Sequence, residues 1–408
     1  MLKKIMGFWK DELIKSGLIL FIAVNSFNLL NYVYHFVIAR MLSPENYGVL
    51  MTLFSFFYIF SVPSEALQTI ISGYTSRLAN NDGKIKSLLL RSMKKAGVVS
   101  FLFYILFIPI SLFFSYFLSI EFPLFMITGI ALFGFFLTPI IRGVLQGKKK
   151  FKELGISMNF EAIVKVIMGI GLVYLAKNVY GAVFAVILSI FFGFLISLFF
   201  VKNILSAEKE NVRIKGAFSY SWPVFVLFFA IVLMYSLDVI IAKRIFSPEM
   251  VGKYAVVSIL GKAIFFATNG FGKSMFPISN EKKARHEKRK VLKKSLIMVS
   301  LLCFAALIAF LIFPELIIKI LFGSKYIDMA GILIFTGLAF SFLSITNLIV
   351  LHKISKGRLK NPGFMLIFVL AEIIGLALFS QNIERFSIAL CFANLFMLIG
   401  SFFIRNKK

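Results

Sequence analysis

Ionisable side chains inside long apolar stretches are the residues of this chain best suited to chemistry. A charge at the centre of an apolar layer costs at least about 2.5–3.5 kcal/mol, so such residues usually face a cavity or a partner. A lysine there can hold an anionic oxygen as a point charge, and a carboxylate can accept hydrogen bonds or bind a cation. Six residues have this setting: Glu65, Glu161, Lys165, Asp238, Lys262 and Glu372.

Lys262 is the first candidate for a binding residue, because it is the only cation in mid-stretch without an evident local partner. An internal repeat with an offset of 204 residues, described below, maps Lys262 onto position 58, seven residues before Glu65. Seven residues are nearly two helical turns, so the two side chains point from equivalent faces. We therefore expect Lys262 and Glu65 to face a central cavity at different depths; the alternative is that both only stabilise packing.

The other four residues receive different interpretations. Glu161 and Lys165 are spaced as an i,i+4 pair that can neutralise itself on one helix, which favours a structural or coupling role. Glu372 is isolated, and both a neutral buried carboxyl and a substrate or proton site fit it. Asp238 lies about one turn from the end of its stretch, so we expect it to guard the mouth of the cavity.

Histidine and cysteine give no sign of a metal or cofactor site. His35, His286 and His352 are scattered, without the spacing of metal ligands. Cys303 and Cys391 lack a neighbouring cysteine and resemble small buried apolar residues. We expect no metal, no cofactor and no catalytic residue.

A repeated motif positions these residues. Arg40-Met-Leu-Ser-Pro-Glu-Asn-Tyr-Gly48 and Arg244-Ile-Phe-Ser-Pro-Glu-Met-Val-Gly252 are identical at five of nine positions. In each copy the serine can cap a helix, proline suits the first helical position, and glutamate stabilises the positive helix end. The glycine one turn later permits close approach of another helix. A helix start is the favoured interpretation, and substrate contact by Arg40 or Arg244 is the alternative.

Composition places the chain in a membrane. Hydrophobic residues make up 60% of it and the mean hydropathy is +0.92, more apolar surface than a soluble core of this length buries. Windows of about 20 residues predict an all-α polytopic protein. The twelve predicted spans are 17–39, 50–73, 97–119, 124–146, 155–176, 180–201, 219–242, 252–277, 296–318, 329–351, 362–380 and 386–404. The repeat divides them into two six-helix lobes, residues 1–204 and 205–408.

Charge predicts the orientation. Of the 45 lysines and arginines, 34 lie in the termini and alternate loops, and the intervening loops hold only 8. Because basic residues collect on the cytoplasmic side, both termini are expected in the cytoplasm, with the first span retained rather than cleaved. The net charge of +27 is then explained by anionic lipid headgroups rather than by nucleic acid.

The motifs resemble those of one membrane family. The Arg-x-Leu/Phe-Ser-Pro-Glu-x-x-Gly loop, a basic loop after the second span, and Arg142-Gly-Val-Leu-Gln-Gly-Lys-Lys-Lys-Phe151 are similar to those of polysaccharide transporters. These are O-antigen and exopolysaccharide flippases of the multidrug/oligosaccharidyl-lipid/polysaccharide exporter superfamily. The resemblance implies lobes related by a pseudo-two-fold axis along the membrane normal, around a cavity that opens alternately to each side.

The resemblance also implies a cargo, a polyprenyl-diphosphate-linked oligosaccharide moved across the cytoplasmic membrane. Lys262 would then hold a diphosphate oxygen, and Glu65 would accept sugar hydroxyls or bind a coupling cation. Glycosyltransferases or a polymerase of the same pathway are expected partners, and a monomer suffices. A cation-coupled multidrug exporter of the same fold is the alternative. An enzyme is not expected, because the short outer loops carry no acid, base or metal motif.

Overall fold

The computed structural model describes residues 12–78, 81–176, 178–211, 221–280, 285–355 and 360–404. Within these ranges the secondary structure is helical throughout, and no strand occurs. The helices of the N-terminal half are α1 (Glu12–Met41), α2 (Pro44–Arg77), α3 (Asp82–Leu118), α4 (Phe122–Gly147), α5 (Phe151–Ala176), α6 (Val179–Phe200) and the short α7 (Lys202–Ser206).

The C-terminal half repeats long helices in a similar order, with more interruptions. Its α-helices are α8 (Ser221–Met234), α9 (Leu237–Ile245), α10 (Pro248–Asn280), α11 (Arg285–Ile312), α12 (Pro314–Phe322), α13 (Leu333–Ser355), α14 (Met365–Leu378) and α15 (Ile383–Phe403). Two 3₁₀ segments, Ser324–Ile332 and Pro362–Phe364, precede α13 and α14.

Eleven helical segments in the described ranges are long and apolar enough to cross a membrane, against the twelve predicted. The difference lies at the predicted span 362–380, where the apolar helix Pro362–Leu378 is shorter. The predicted span 219–242 corresponds to the segment Trp222–Ile245, which α8 and α9 share. The protein is therefore a multi-pass membrane protein.

The repeated motif begins α2 and α10, as its sequence predicts. Both helices start at the motif proline, Pro44 or Pro248. The hydroxyl of Ser43 accepts a hydrogen bond from the amide of Asn46, which caps α2. Glu45 lies in the first turn, where its charge complements the helix end. The motif is thus a helix start in both copies.

Helices α2 and α10 also join the two halves. Within its own half, α2 packs on α4, and α10 packs on α13; across the halves, α2 packs on α10 and contacts α8 and α9. Helix α1 contacts α5 in its own half and α10 in the other. The buried core is continuous from one half to the other through these helices. Helices α1, α2, α8, α9 and α10 therefore form most of the boundary between the halves.

Candidate functional site

The two motif glycines meet where α2 crosses α10. A Cβ atom added to Gly48 would lie 2.8 Å from the backbone nitrogen of Gly252. A Cβ added to Gly252 would lie only 1.7 Å from the carbonyl oxygen of Pro44. The two backbones are thus in direct contact, which only a residue without a side chain permits. We call the membrane side on which the two motifs lie the motif side.

The motif arginines cross between the halves at the same level. Arg40 donates hydrogen bonds to the carbonyls of Lys319 and Ile320 in the last turn of α12. Arg244 makes the reciprocal contact, with its guanidinium 5.0 Å from the centroid of the Phe117 ring at the end of α3. Neither side chain is buried. These two predicted substrate residues therefore lie at the closure of the motif side, and their contact with a substrate stays a prediction.

Further bonds close the same side. Tyr326 donates from its hydroxyl to the carbonyl of Ala39 at 2.9 Å, and Lys325 donates to the carbonyls of Arg40 and Leu42. The ring of Phe36 stands edge-on to that of Phe322, with centroids 5.1 Å apart. All of these contacts join α1 to the segment after α11, so the halves are sealed together there.

An aromatic cluster lies below the glycine crossing. Tyr58 of α2 packs against Tyr235, with ring centroids 5.5 Å apart, and against Phe266 of α10 at 5.8 Å. Tyr235 occupies the break between α8 and α9. Because Tyr58 lies ten residues beyond Gly48 on α2 and still packs against the other half, the seal between the halves extends this far along the helix.

Beyond Tyr58 the same face of α2 becomes exposed and polar. Glu65, Thr69 and Gly73 recur every fourth residue, all exposed, and Ser76 follows them. Glu65 is seven residues from Tyr58, so it lies on the face of α2 on which Tyr58 packs against Tyr235 of the other half. An exposed polar face directed at the other half is what a cleft between the halves requires, since a lipid-facing surface would be apolar. That Glu65 faces a central cavity stays a prediction.

Lys262 occupies a different environment from the one its sequence suggests. Its ammonium is fully buried and lies 3.0 Å from a carboxylate oxygen of Asp238. The other oxygen of Asp238 accepts hydrogen bonds from the hydroxyls of Tyr254 and Ser258. Lys262 therefore has a partner that is not local in the sequence: Asp238 was missed because the pair joins two helices, α9 and α10. Its contact with a substrate stays a prediction, as does the placement of Asp238 at the mouth of the cavity, although Asp238 is also fully buried.

Glu372 of α14 lies in the same region of the C-terminal half and is fully buried. Neither of its carboxyl oxygens has a hydrogen-bond partner among the residues that the structure describes. It interacts electrostatically with Asp238 and Lys262. No group of three or more potential metal ligands occurs in the described ranges.

The predicted i,i+4 ion pair in the N-terminal half does not form. Glu161 instead accepts from the guanidinium of Arg142 at 2.6 Å, and Arg142 also donates to Ser157. Lys165 points away to α1, where its ammonium donates to the side-chain oxygen of Asn31. Sequence spacing favoured the pair, but the guanidinium of Arg142 competes for the same carboxylate from a neighbouring helix.

With the geometry described, comparison with known proteins identifies the family. The profile of the family described as polysaccharide biosynthesis protein matches residues 37–331, most of the chain. The chain therefore belongs to that family. A protein of Shigella flexneri named as a candidate O-antigen transporter is 26% identical over 203 residues, which are 47% of each chain. The chain thus spans about half the length of the curated relative it matches.

Solved structures share the fold. An inward-facing multidrug transporter of the MATE family superposes with a TM-score of 0.73 at 12% identity, over 93% of each chain. The lipid II flippase MurJ, in an inward closed conformation, superposes with a TM-score of 0.68 at 16% identity, over 95% of this chain and 87% of that one. The chain thus belongs to the polysaccharide biosynthesis family and shares its fold with a multidrug transporter and a lipid II flippase.

Proposed function

We propose that the protein flips a polyprenyl-diphosphate-linked oligosaccharide across the cytoplasmic membrane during synthesis of a cell-surface polysaccharide. The observation that carries the proposal is the polar face of α2 from Glu65 to Ser76, exposed toward the other half within a membrane-spanning helix. A saccharide cannot enter hydrocarbon without losing its hydrogen bonds to water, whereas an isoprenoid tail can stay in lipid. A cleft with a polar face shields the head group alone.

Alternating access follows from the closure on the motif side. The protein acts as two six-helix lobes, residues 1–204 and 205–408, that rock about the crossing of α2 and α10. The lobes touch at Gly48 and Gly252 and are separated at Glu65. The charge count assigns the motif side to the outside and both termini to the cytoplasm. The cleft then opens to the cytoplasm, where lipid-linked sugars are assembled by glycosyltransferases. A single chain contains both lobes, so a monomer suffices.

The residues that we propose to contact the cargo are fewer than those predicted from the sequence. Glu65 is retained as a residue that accepts sugar hydroxyls, because it is exposed on the cleft face. Lys262 and Asp238 are assigned instead to holding α9 against α10, since each already satisfies the other. Arg40 and Arg244 are assigned to the closure rather than to the cargo.

Multidrug export is the second candidate, favoured by the TM-score of 0.73 with a multidrug transporter. Purified protein in proteoliposomes separates the two functions. We expect a fluorescent lipid-diphosphate oligosaccharide to move between leaflets, measured by quenching of the outer leaflet, and a cationic dye to show no transport. Empty liposomes and liposomes with heat-denatured protein are the controls. Transport of the dye without movement of the lipid-linked sugar would refute the proposal.

A further inference from the structure

Lys165 is a buried cation whose direct contacts are all with neutral groups. Only 8% of the residue is exposed. Its ammonium donates to the side-chain oxygen of Asn31, and it lies 5.1 Å from the centroid of the Tyr34 ring and 5.8 Å from that of Phe54. An amide oxygen and two aromatic faces stabilise a cation but supply no negative charge in direct contact with it.

No carboxylate among the described residues lies within salt-bridge distance of Lys165. Glu161, one turn away on the same helix, is bound to Arg142 at 2.6 Å. The amide nitrogen of Asn31 donates to the carbonyl of Phe27 at 2.7 Å, which fixes the amide with its oxygen toward the lysine. By contrast, Lys262 in the other half is paired with a carboxylate, because its ammonium lies 3.0 Å from an oxygen of Asp238. Of these two buried lysines, Lys165 is therefore the one whose charge remains available to a ligand.

Two neighbouring polar groups are also unsatisfied. Nδ1 of His35, a residue only 3% exposed, has no hydrogen-bond partner among the described residues, and neither has the hydroxyl of Tyr32. The His35 ring packs against Phe54 and Tyr34, the rings that also flank Lys165. Buried polar atoms normally have partners, so the orphaned imidazole nitrogen of His35, beside a cation that no carboxylate contacts, points to a binding site.

The site adjoins the boundary between the halves. Helix α1, which carries Asn31, Tyr32 and His35, contacts α10 of the other half. Phe54, whose ring flanks Lys165, packs against Tyr58 with ring centroids 6.2 Å apart, and Tyr58 pairs with Tyr235 to seal the halves above the cleft. A ligand group beside Lys165 would therefore be continuous with a head group in the cleft.

We propose that Lys165, together with Asn31 and His35, binds the diphosphate of the lipid-linked cargo; this rests on the function proposed above and names the group that recognises the carrier. A diphosphate supplies the negative charge that the site lacks and accepts hydrogen bonds from ammonium, amide and imidazole donors. A neutral sugar supplies only hydroxyls and leaves the charge of Lys165 uncompensated.

The sharpest test is Asn31→Asp, which is nearly isosteric and places a carboxylate beside Lys165 from within the chain. A structural lysine would be satisfied by this change, and the protein would keep its ligand affinity. A ligand-binding lysine would be occupied by the new carboxylate and would repel the diphosphate. We expect Asn31→Asp to bind polyprenyl diphosphate about tenfold or more weakly, without a lower unfolding temperature.

Substitutions of the lysine itself complete the design. Lys165→Gln is expected to lose affinity to a similar extent, and Lys165→Arg to retain most of it because the charge survives. Lys202→Gln is the matched control, since Lys202 also lies over an aromatic ring, 4.5 Å from the centroid of Phe199, but is exposed at a helix start. Binding to the purified full chain in detergent is measured with polyprenyl diphosphate, polyprenol and inorganic diphosphate.

The outcomes distinguish a failure of the proposed binding site from a failure of the proposed function. Unchanged affinity for polyprenyl diphosphate in Asn31→Asp and Lys165→Gln overturns the site; if Lys165→Gln does not fold, Asn31→Asp alone decides. Binding of inorganic diphosphate but not of polyprenyl diphosphate shows a free-anion site and overturns the assignment to the cargo. If the unmodified protein binds polyprenyl diphosphate through Lys165 yet moves no lipid-linked sugar, the proposed function fails while the site stands.

Discussion

Replacing Gly252 by alanine tests the closure of the motif side directly. The new Cβ would lie 1.7 Å from the carbonyl oxygen of Pro44 and 2.4 Å from its carbonyl carbon. Non-bonded heavy atoms need about 3.5 Å, so α2 and α10 must part by about 1.8 Å at their crossing. Both obstructing atoms belong to the backbone, so no side-chain rotation relieves the clash. The closed state is destabilised, and the motif side opens more often.

The assay uses Ser55→Cys as a reporter in a chain with Cys303 and Cys391 replaced by alanine. Ser55 is buried and lies seven residues beyond Gly48, on the face of α2 that meets the other half. A membrane-impermeant maleimide added from the motif side reaches it only when the closure opens. A destabilisation of about 1.4 kcal/mol raises the open fraction about tenfold, and labelling should accelerate by that factor or more.

Two other glycines calibrate the result. Gly171→Ala is the matched control, because a Cβ there meets nothing within 4 Å. Gly48→Ala should have a smaller effect than Gly252→Ala, since its Cβ would lie 2.8 Å from the obstructing nitrogen. Alanine otherwise favours a helix by up to about 1 kcal/mol over glycine, so a stabilising effect is the default. Equal labelling rates in Gly252→Ala and Gly171→Ala would refute the reasoning.

Three further predictions concern other parts of the molecule. Lys262→Met and Asp238→Leu should each lower the free energy of unfolding by about 3–5 kcal/mol, because removing one partner leaves the other charge buried. The double variant should recover most of that loss. Additive losses in denaturation experiments would contradict a mutual pair. Glu65→Gln should slow flipping in proteoliposomes at an unchanged unfolding temperature, whereas an unchanged flipping rate would remove Glu65 from the cargo path. A cysteine in 282–294 should be labelled only from the cytoplasm, and one in 121–123 or 381–384 only from outside; the opposite pattern would overturn the orientation.

Local signals in the sequence predicted local structure well. The Ser-Pro-Glu order fixed where α2 and α10 begin, because capping, proline geometry and helix-end charge act within one turn. The break of the seventh span at Tyr235 and Ser236 was missed, since no proline or glycine marks it. Gly48 was predicted to allow close helix approach, but the sequence did not name Gly252 as its neighbour.

Partners between helices were the part that the sequence did not predict. Asp238 and Lys262 are 24 residues apart on different helices, and periodicity relates only residues of one helix. The same limit produced the opposite error for Glu161 and Lys165, where a pair was predicted that does not form. Their spacing suits an ion pair on one helix, but Glu161 binds Arg142 of a neighbouring helix instead. Consequently the sequence ranked Lys262 first and Lys165 as structural, and the site that we propose at Lys165 reverses this order.

The exposed arginine contacts and the buried ion pair differ in the free energy needed to break them. Arg40 bonds carbonyls at the C-terminal end of α12, and Arg244 lies over an aromatic ring, both at exposed positions. Exposed contacts of this kind are worth about 1 kcal/mol or less and break readily. The buried pair of Asp238 and Lys262 costs several times more to separate. In the alternating-access mechanism that we propose, opening on the motif side would therefore break the arginine contacts between the halves, while the ion pair would keep α9 and α10 moving as one body.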